Sequence, residues 1–402
     1  MSDVGSAQRL MARFADRTGL AGDRPPRRYL WTDAFAVCNF LGLERAIGDG
    51  RHLQRALRLV DQVHHTLGRY RADDVRSGWL SGLGEQEGEA HPTRGGLRIG
   101  KRLPERGPGE PFDDRLEWDR DGQYFHYLTK WMHALDQVTR ATGQPTFNTW
   151  ARVLARVAHR AFTYTPRIGS AKRMYWKMSI DLSRPLVASM GQHDPLDGFV
   201  TCAALDATAR VTGAVASGPD LTDETADFFA MIDRGALATA DPLGLGGLLA
   251  DACRVDQLRR QNAPPNGEQL LGDVLEAALA GLRHYVEQPD LRSSAHGRLA
   301  FRELGLAIGL AAVERMAEQV RSAPERSPGR FDLAARLAPL LRYVSVRSEI
   351  ESFWLEPEHR RADTWLEHED INEVMLATSL APDGFLLFDH RAQRPPRGIR
   401  LP

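Results

Sequence analysis

The chain is poor in cysteine, almost free of net charge and without any long apolar run. Its three cysteines, Cys38, Cys202 and Cys253, are spread over 402 residues. They are too few and too scattered for a disulfide framework or a thiolate metal cluster. Each sits in an apolar helical run and reads as a buried, reduced thiol. With 52 Lys and Arg against 53 Asp and Glu, the formal charge is -1. That excludes a global field steering the protein to nucleic acid or to an anionic membrane. No stretch approaches the ~20 apolar residues needed to span a bilayer. The start, Met1-Ser2-Asp3-Val4, lacks the basic and then apolar segments of a secretory leader, so a cytoplasmic location is expected. The glycines of Gly95-Gly96-Leu97-Arg98-Ile99-Gly100-Lys101 are not a phosphate loop, because no strand precedes them and Lys101 is not followed by Ser or Thr. No motif calls for a metal or a cofactor, and no alternating strand pattern of any length occurs.

What is present is a repeat. A polar, aromatic-rich lead-in, a helical run and an Arg-x-x-Gly ending occur three times. The first copy opens with Tyr29-Leu30-Trp31-Thr32-Asp33 and ends at Arg45-Ala46-Ile47-Gly48. The second opens with residues 119–126, which include Asp121, Tyr124 and His126, and ends at Arg140-Ala141-Thr142-Gly143. The third opens with His193-Asp194-Pro195-Leu196-Asp197 and ends at Arg210-Val211-Thr212-Gly213. In each run the apolar residues recur at helical spacing, and a second helical pattern follows the glycine. When Gly48 is placed on Gly143, Ala56 falls on Ala151, Leu59 on Leu154 and His64 on His159.

Stacked helical hairpins turn equivalent ends the same way. The expected fold is therefore all-α, an (α/α)6 toroid in one domain over 1–402, with 1–28 and 385–402 as peripheral tails. The spacing predicts helices over 31–46, 196–212, 224–238, 267–288, 296–321, 331–353 and 371–380, among 11 or 12 in all. Pro264-Pro265-Asn266-Gly267 and the stretch 322–329 read as loops. Residues 70–120, rich in Gly and Pro, interrupt the pattern. Their Trp79, Leu80, Leu83, Leu97, Ile99, Phe112 and Trp118 argue against disorder. An ordered insertion on the active face, with a short β-hairpin, is expected.

The lead-ins gather carboxylates beside aromatic rings. Candidate catalytic residues are Asp33, Asp121, Asp194 and Asp197, and candidate substrate-binding residues are Trp31, Tyr124, His126, Trp131, Trp176, Lys177, Arg184, His193, His296 and His368. Aromatic faces suit the C–H side of a sugar ring. A carboxyl group raised in pKa by apolar neighbours can protonate a glycosidic oxygen while a second carboxylate assists. Each Asp also suits the start of a helix, where Asp caps exposed N–H groups. Trp31, Trp131 and Trp176 could equally be core, and His64 and His159 fall on outer helices with surface or packing roles. Arg184, paired with Asp181 or Asp33, could hold one acid ionised and leave another to donate.

The Tyr-x-Trp-x-Asp segment around Trp31-Thr32-Asp33, the residues His193-Asp194-Pro195-Leu196-Asp197-Gly198-Phe199, the repeated hairpins and the length resemble the six-hairpin, glycosidase-like (α/α)6 superfamily. That group includes unsaturated glucuronyl and rhamnogalacturonyl hydrolases and N-acylglucosamine 2-epimerases. The resemblance implies a carbohydrate-active enzyme, with Asp acid/base residues carried to Asp33 or Asp121 and to Asp194 or Asp197. Glycoside hydrolysis of a small-molecule or oligosaccharide substrate is the first expectation. A sugar epimerase or isomerase using His126, His193, His296 or His368 is the second. A non-catalytic toroid binding a glycan or protein is the third. The oligomeric state is left open.

Overall fold

The structure is a computed structural model. It describes residues 3–388 other than 168, 170, 262–266, 289 and 325–329. The chain is all-α: the described residues form seventeen α-helices and five strands of two or three residues. They fall into two compact units, residues 15–232 and residues 3–14 with 233–388. The first helix, α1 (Val4–Arg17), begins in the second of these units.

In the unit 15–232 the helices are α2 (Leu30–Ile47), α3 (Arg51–Leu67), α4 (Glu85–Ala90), α5 (Asp114–Asp119), α6 (Phe125–Thr142), α7 (Pro145–Phe162), α8 (Asp194–Val211) and α9 (Thr222–Met231). Helices α2, α6 and α8 are buried on nearly every face. Helices α3 and α7 bury one stripe each, spaced at three and four residues as in an amphipathic helix. The pairs α2/α3, α6/α7 and α8/α9 pack as hairpins, and α6 packs between α2 and α8. The repeated Arg-x-x-Gly is a helix stop. Gly48, Gly143 and Gly213 all take the left-handed conformation, at φ 74°, 73° and 69°. At the first two, the glycine N–H donates to the carbonyl four residues back. Their Cβ positions meet nothing, so glycine is required there for its backbone freedom alone.

The other unit holds α10 (Pro242–Arg260), α11 (Gly267–Glu287), α12 (Ala300–Ser322), α13 (Arg330–Leu341), α14 (Val344–Leu355), α15 (Asp363–Leu366), α16 (Glu369–Leu380) and α17 (Asp383–Leu386). Here α10, α12 and α16 are the helices buried nearly all round. Helix α11 packs on α10, and α13, α14 and α16 pack on α12. The chain start lies against α16: the Asp3 N–H donates to the Leu380 carbonyl at 3.1 Å, and Arg13 pairs with Glu373 at 2.7 Å. Buried and amphipathic helices thus alternate along the chain, in the order of an (α/α)6 protein, with α1 beside the last buried helix.

Several expectations need correction. Residues 4–17, assigned to a tail, form a helix whose Ala7, Leu10, Met11, Phe14 and Ala15 are buried. Helix α10, which contains Cys253, is missing from the helix bounds expected above, because Gly244, Gly246 and Gly247 lower its helical signal. The 331–353 pattern is two helices, broken at residues 342–343 shortly after Pro339, which sits within α13. The second helix of the third repeat ends at Met231. The loops at 262–266 and 325–329 and the tail beyond 388 lie outside the described residues.

The insertion is ordered but holds no β-hairpin; it has α4, α5 and isolated bridges Arg69–Trp79 and Leu103–Arg120. Trp79, Leu80, Leu97 and Ile99 are buried, whereas Phe112 and Trp118 are exposed. A three-stranded sheet, β1 (Gln123–Tyr124), β4 (Lys177–Met178) and β5 (Pro185–Val187), and a pair, β2 (Thr163–Tyr164) with β3 (Arg173–Met174), complete this unit.

Helix α10 meets α12 through glycines. A Cβ on Gly246 would lie 2.0 Å from the Gly305 carbonyl oxygen, and one on Gly309 2.7 Å from the Gly246 Cα. Gly247, one residue on, has open space. Gly246→Ala is therefore expected to destabilise by about 2 kcal/mol or more through overpacking. Gly247→Ala should be neutral or stabilising by up to about 1 kcal/mol. Thermal or denaturant unfolding of the two variants checks this; equal effects would refute the close approach.

Candidate active site

The chemistry-bearing residues of the unit 15–232 meet at the start of α8 and the start of α6. Asp194 and Asp197 lie in the first turn of α8, three residues apart and so on one face. Both are buried. Lys130, from α6, donates to Asp197 Oδ2 at 2.6 Å, and the Thr129 hydroxyl donates to the same oxygen. Asp197 is thus held as the partner of a cation. Asp194 is different: its Oδ2 is buried and accepts no hydrogen bond. Burial pushes its carboxyl pKa up to about 7, with the nearby Asp197 charge adding to the rise; Lys130 and the Gly191 backbone oppose it. Two carboxyl groups with different surroundings, one kept protonated near neutrality and one bound to a cation, are the usual division between a proton donor and an anion.

Around this pair runs a chain of touching rings. Trp31 lies 5.9 Å from His126 and 5.3 Å from Tyr127. His126 stacks on Trp176 at 6.1 Å and 14° and on Tyr124 at 5.4 Å. Tyr124 meets Trp176 at 5.2 Å, and the Tyr29 and Tyr127 hydroxyls hydrogen-bond at 2.7 Å. Lys130 Nζ sits 5.9 Å from the Trp31 ring, which joins the ionic and aromatic parts. His126 is partly exposed, but its Nδ1 is buried and unpartnered, as is Trp31 Nε1. Burial, with Lys130 nearby, pushes the His126 pKa down to about 3, so the imidazole is neutral at physiological pH. Burial raises the Tyr29 phenol to about 12 and the Tyr124 and Tyr127 phenols further, so all three remain protonated donors. Three buried polar atoms of different chemistry thus lack partners in one neighbourhood. A ligand or solvent that reached them would supply their hydrogen bonds.

The remaining candidates have other surroundings. Asp33 accepts the Tyr29 backbone N–H at 2.9 Å and faces Arg28 at 3.3 Å, a capping arrangement at the start of α2. Asp121, fully buried, accepts from Arg98 at 2.8 Å, from the Gly100 N–H at 2.9 Å and from the Gly122 N–H at 3.1 Å. Lys177 spends its three donors on Glu117 Oε1, the Glu117 carbonyl and the Arg120 carbonyl, so it has none left for a substrate. Trp131 is fully buried and donates to His64 Nε2 at 3.2 Å. His64 is itself buried and pushed down to about 3, while His159 meets Asp227 at 3.0 Å.

The expected Arg184 pairing is not formed. Arg184 donates to the Arg106 carbonyl, Asp181 takes Arg76 at 2.9 Å, and Asp33 takes Arg28. His193 is half-buried at the position before α8. His296 and His368 are exposed and belong to the other unit, where His368 touches Phe301. The sequence reading missed Lys130, Thr129 and Tyr127. Lys130 could have been found as a cation on an otherwise buried helix, four residues and one turn after His126. Among the described residues, Asp61, His65 and Glu89 also bring metal-ligand atoms within 4.8 Å of one another, all of them exposed. His65 already pairs with Glu89 at 2.8 Å. No helix of the described residues is long and apolar enough to cross a membrane.

No known sequence family matches the chain, and no curated protein matches it. Solved structures resemble it at low identity. A cellobiose 2-epimerase from Spirochaeta thermophila is 12% identical over 93% of this chain and 97% of its own, with a TM-score of 0.45. A cellobiose 2-epimerase from Bacillus thermoamylovorans is 11% identical over 85% and 87%, with a TM-score of 0.43. An unsaturated glucuronyl hydrolase from a Bacillus species is 12% identical over 94% of each chain, with a TM-score of 0.32.

Two predictions follow from these surroundings. A carboxyl group raised from 3.8 to about 7 binds a proton that the unfolded chain has lost. Stability is therefore unaffected by this group below pH ~4 and falls as pH rises toward 7, by an amount on the order of 4 kcal/mol. Asp194→Asn should be increasingly more stable than the wild type from pH 4 to pH 8; a difference in melting temperature that does not change with pH would contradict this. Asp121→Ala leaves the buried Arg98 with the Arg69 and Thr66 carbonyls but without its carboxylate, and should cost about 3 kcal/mol or more in denaturant unfolding. A fully stable Asp121→Ala protein would show that the carboxylate does not have this structural role.

Proposed function

We propose that the protein is a carbohydrate-active enzyme that works by proton transfer at the first turn of α8, in the form of glycoside hydrolysis. The observation that carries this reading is Asp194. It is a carboxylic acid protonated near neutrality, with an unpartnered oxygen, next to a carboxylate whose Lys130 partner lies 5.9 Å from the Trp31 ring. In this reading the Asp194 carboxyl protonates the departing glycosidic oxygen. The Asp197 carboxylate, positioned by Lys130 and Thr129, activates water or faces the positive charge that develops on the sugar. Trp31, Tyr124, His126 and Trp176 cover the C–H face of the ring.

A second reading is epimerisation, in which His126, with its Nδ1 unpartnered, takes a proton from a carbon beside a carbonyl and Asp194 returns one. Burial pushes the His126 pKa down to about 3 and makes it a weak base for that step, which is why hydrolysis comes first.

The test is turnover of a panel of mono- and oligosaccharides in D2O, for the wild type beside Asp194→Asn. Hydrolysis releases new reducing ends without exchange at carbon, whereas epimerisation places deuterium at the carbon that inverts. Either activity should fall by about 10²–10⁴-fold in Asp194→Asn while binding persists. Full activity in that variant would remove Asp194 from the chemistry. A folded wild type that binds no saccharide would remove the carbohydrate reading.

A further inference from the structure

Trp118 stands outside the core on the short helix α5. It is half exposed, at 50%, yet its backbone is held firmly. The Asp113 side chain accepts the Leu116 N–H at 2.9 Å. The neighbouring Glu117 is buried and tied to Lys177 at 2.9 Å and to Arg106 at 3.0 Å. Lys177 also holds the Glu117 and Arg120 carbonyls on either side of Trp118. A large ring fixed in the open, in a short helix with a charged and buried anchor, is the arrangement of a contact surface rather than of a core.

The ring also continues the aromatic chain of the site. It touches Trp176 at 5.2 Å and 79° and lies 6.5 Å from Tyr124. Trp176 in turn stacks on His126, which meets Trp31. Along Trp31, His126, Trp176 and Trp118, exposure grows from buried to half exposed. Because Trp118 and Trp176 stand nearly perpendicular, they cannot stack on the same face of one sugar. They offer two separate platforms in succession.

We propose that Trp118 forms an outer stacking subsite, so that the natural substrate is an oligosaccharide of two or more rings. One ring lies against the partly exposed His126 and Trp176, and the next lies on Trp118. This rests on the carbohydrate reading of the site and adds the chain length that the site selects.

The test is calorimetric binding of a monosaccharide and of its di- and trisaccharides, with the Asp194→Asn protein and with the same protein carrying Trp118→Ala, Trp118→Gln or Trp118→Phe. Trp118→Ala should raise the Kd of the di- and trisaccharides about tenfold, the scale of a lost aromatic contact. The monosaccharide Kd should change by less than about twofold, and Trp118→Phe should recover most of the loss. Trp118→Gln keeps the test open should the alanine variant not fold. An equal change for every chain length, or none, would overturn the outer subsite and leave the carbohydrate reading standing. Binding of no saccharide by either the Asp194→Asn protein or the wild type would overturn both.

Discussion

One buried carboxylate holds together the part of the molecule on which the site is built. Asp121 gathers the Arg98 guanidinium and the N–H groups of Gly100 and Gly122, which draws the insertion against the chain just before α6. The same stretch of the insertion then bridges two lead-ins. The Ile99 carbonyl accepts the Leu30 N–H at the start of α2, and the Ile99 N–H donates to the Gly122 carbonyl before α6. Trp31 and Tyr29 are thereby set beside His126, Tyr127 and Tyr124. An ionised group in so dry a place is tolerated only because every approach to it is a donor. Removing one partner strands the others.

A second buried ion pair does similar work on the opposite side of Tyr124. Lys177 and Glu117 are both buried, and Lys177 Nζ sits 5.3 Å from the Tyr124 ring. The pair fixes α5 against β4 and so fixes the outer ring of Trp118 against Trp176. Charges that a first inspection of the sequence would give to substrate are used instead to hold aromatic rings in place.

The first turn of α8 is built on the contrary principle. A helix start favours negative charge, through its exposed N–H groups and its dipole, yet Asp194 is pushed toward its neutral form by burial and by Asp197. Lys130 and the Gly191 backbone offset that conflict only in part, since the carboxyl pKa stays raised to about 7. Local strain of this kind, kept beside a well-satisfied Lys130–Asp197 pair, is characteristic of sites kept for chemistry at the expense of stability.

The sequence by itself determined the helical hairpins wherever amphipathic spacing and a stop signal coincide. The runs ending at Gly48, Gly143 and Gly213 are legible because a left-handed residue is needed there and glycine adopts it freely. It also placed Asp194, Asp197, Trp31, Tyr124 and His126 at helix starts, since lead-ins of stacked hairpins must share an end, whereas Trp176 lies between β3 and β4 ahead of α8. It failed where local signal was weak or misleading. Helix α10 carries three glycines that weaken its helical signal, of which Gly246 is required where α12 presses against it, and α1 has the ordinary amphipathic pattern that a chain start shares with many peripheral segments. Only the tertiary structure decided which charges are structural. Asp33 and Asp121 have the residue type and lead-in setting of Asp194 and Asp197, and Lys177 and Arg184 lie in a similar polar, aromatic-rich segment. What separates them is their partners, and these come from segments 5 to 78 residues away. Whether a carboxyl group is saturated by donors or left with an open oxygen depends on such distant contacts, and no spacing along the chain encodes them.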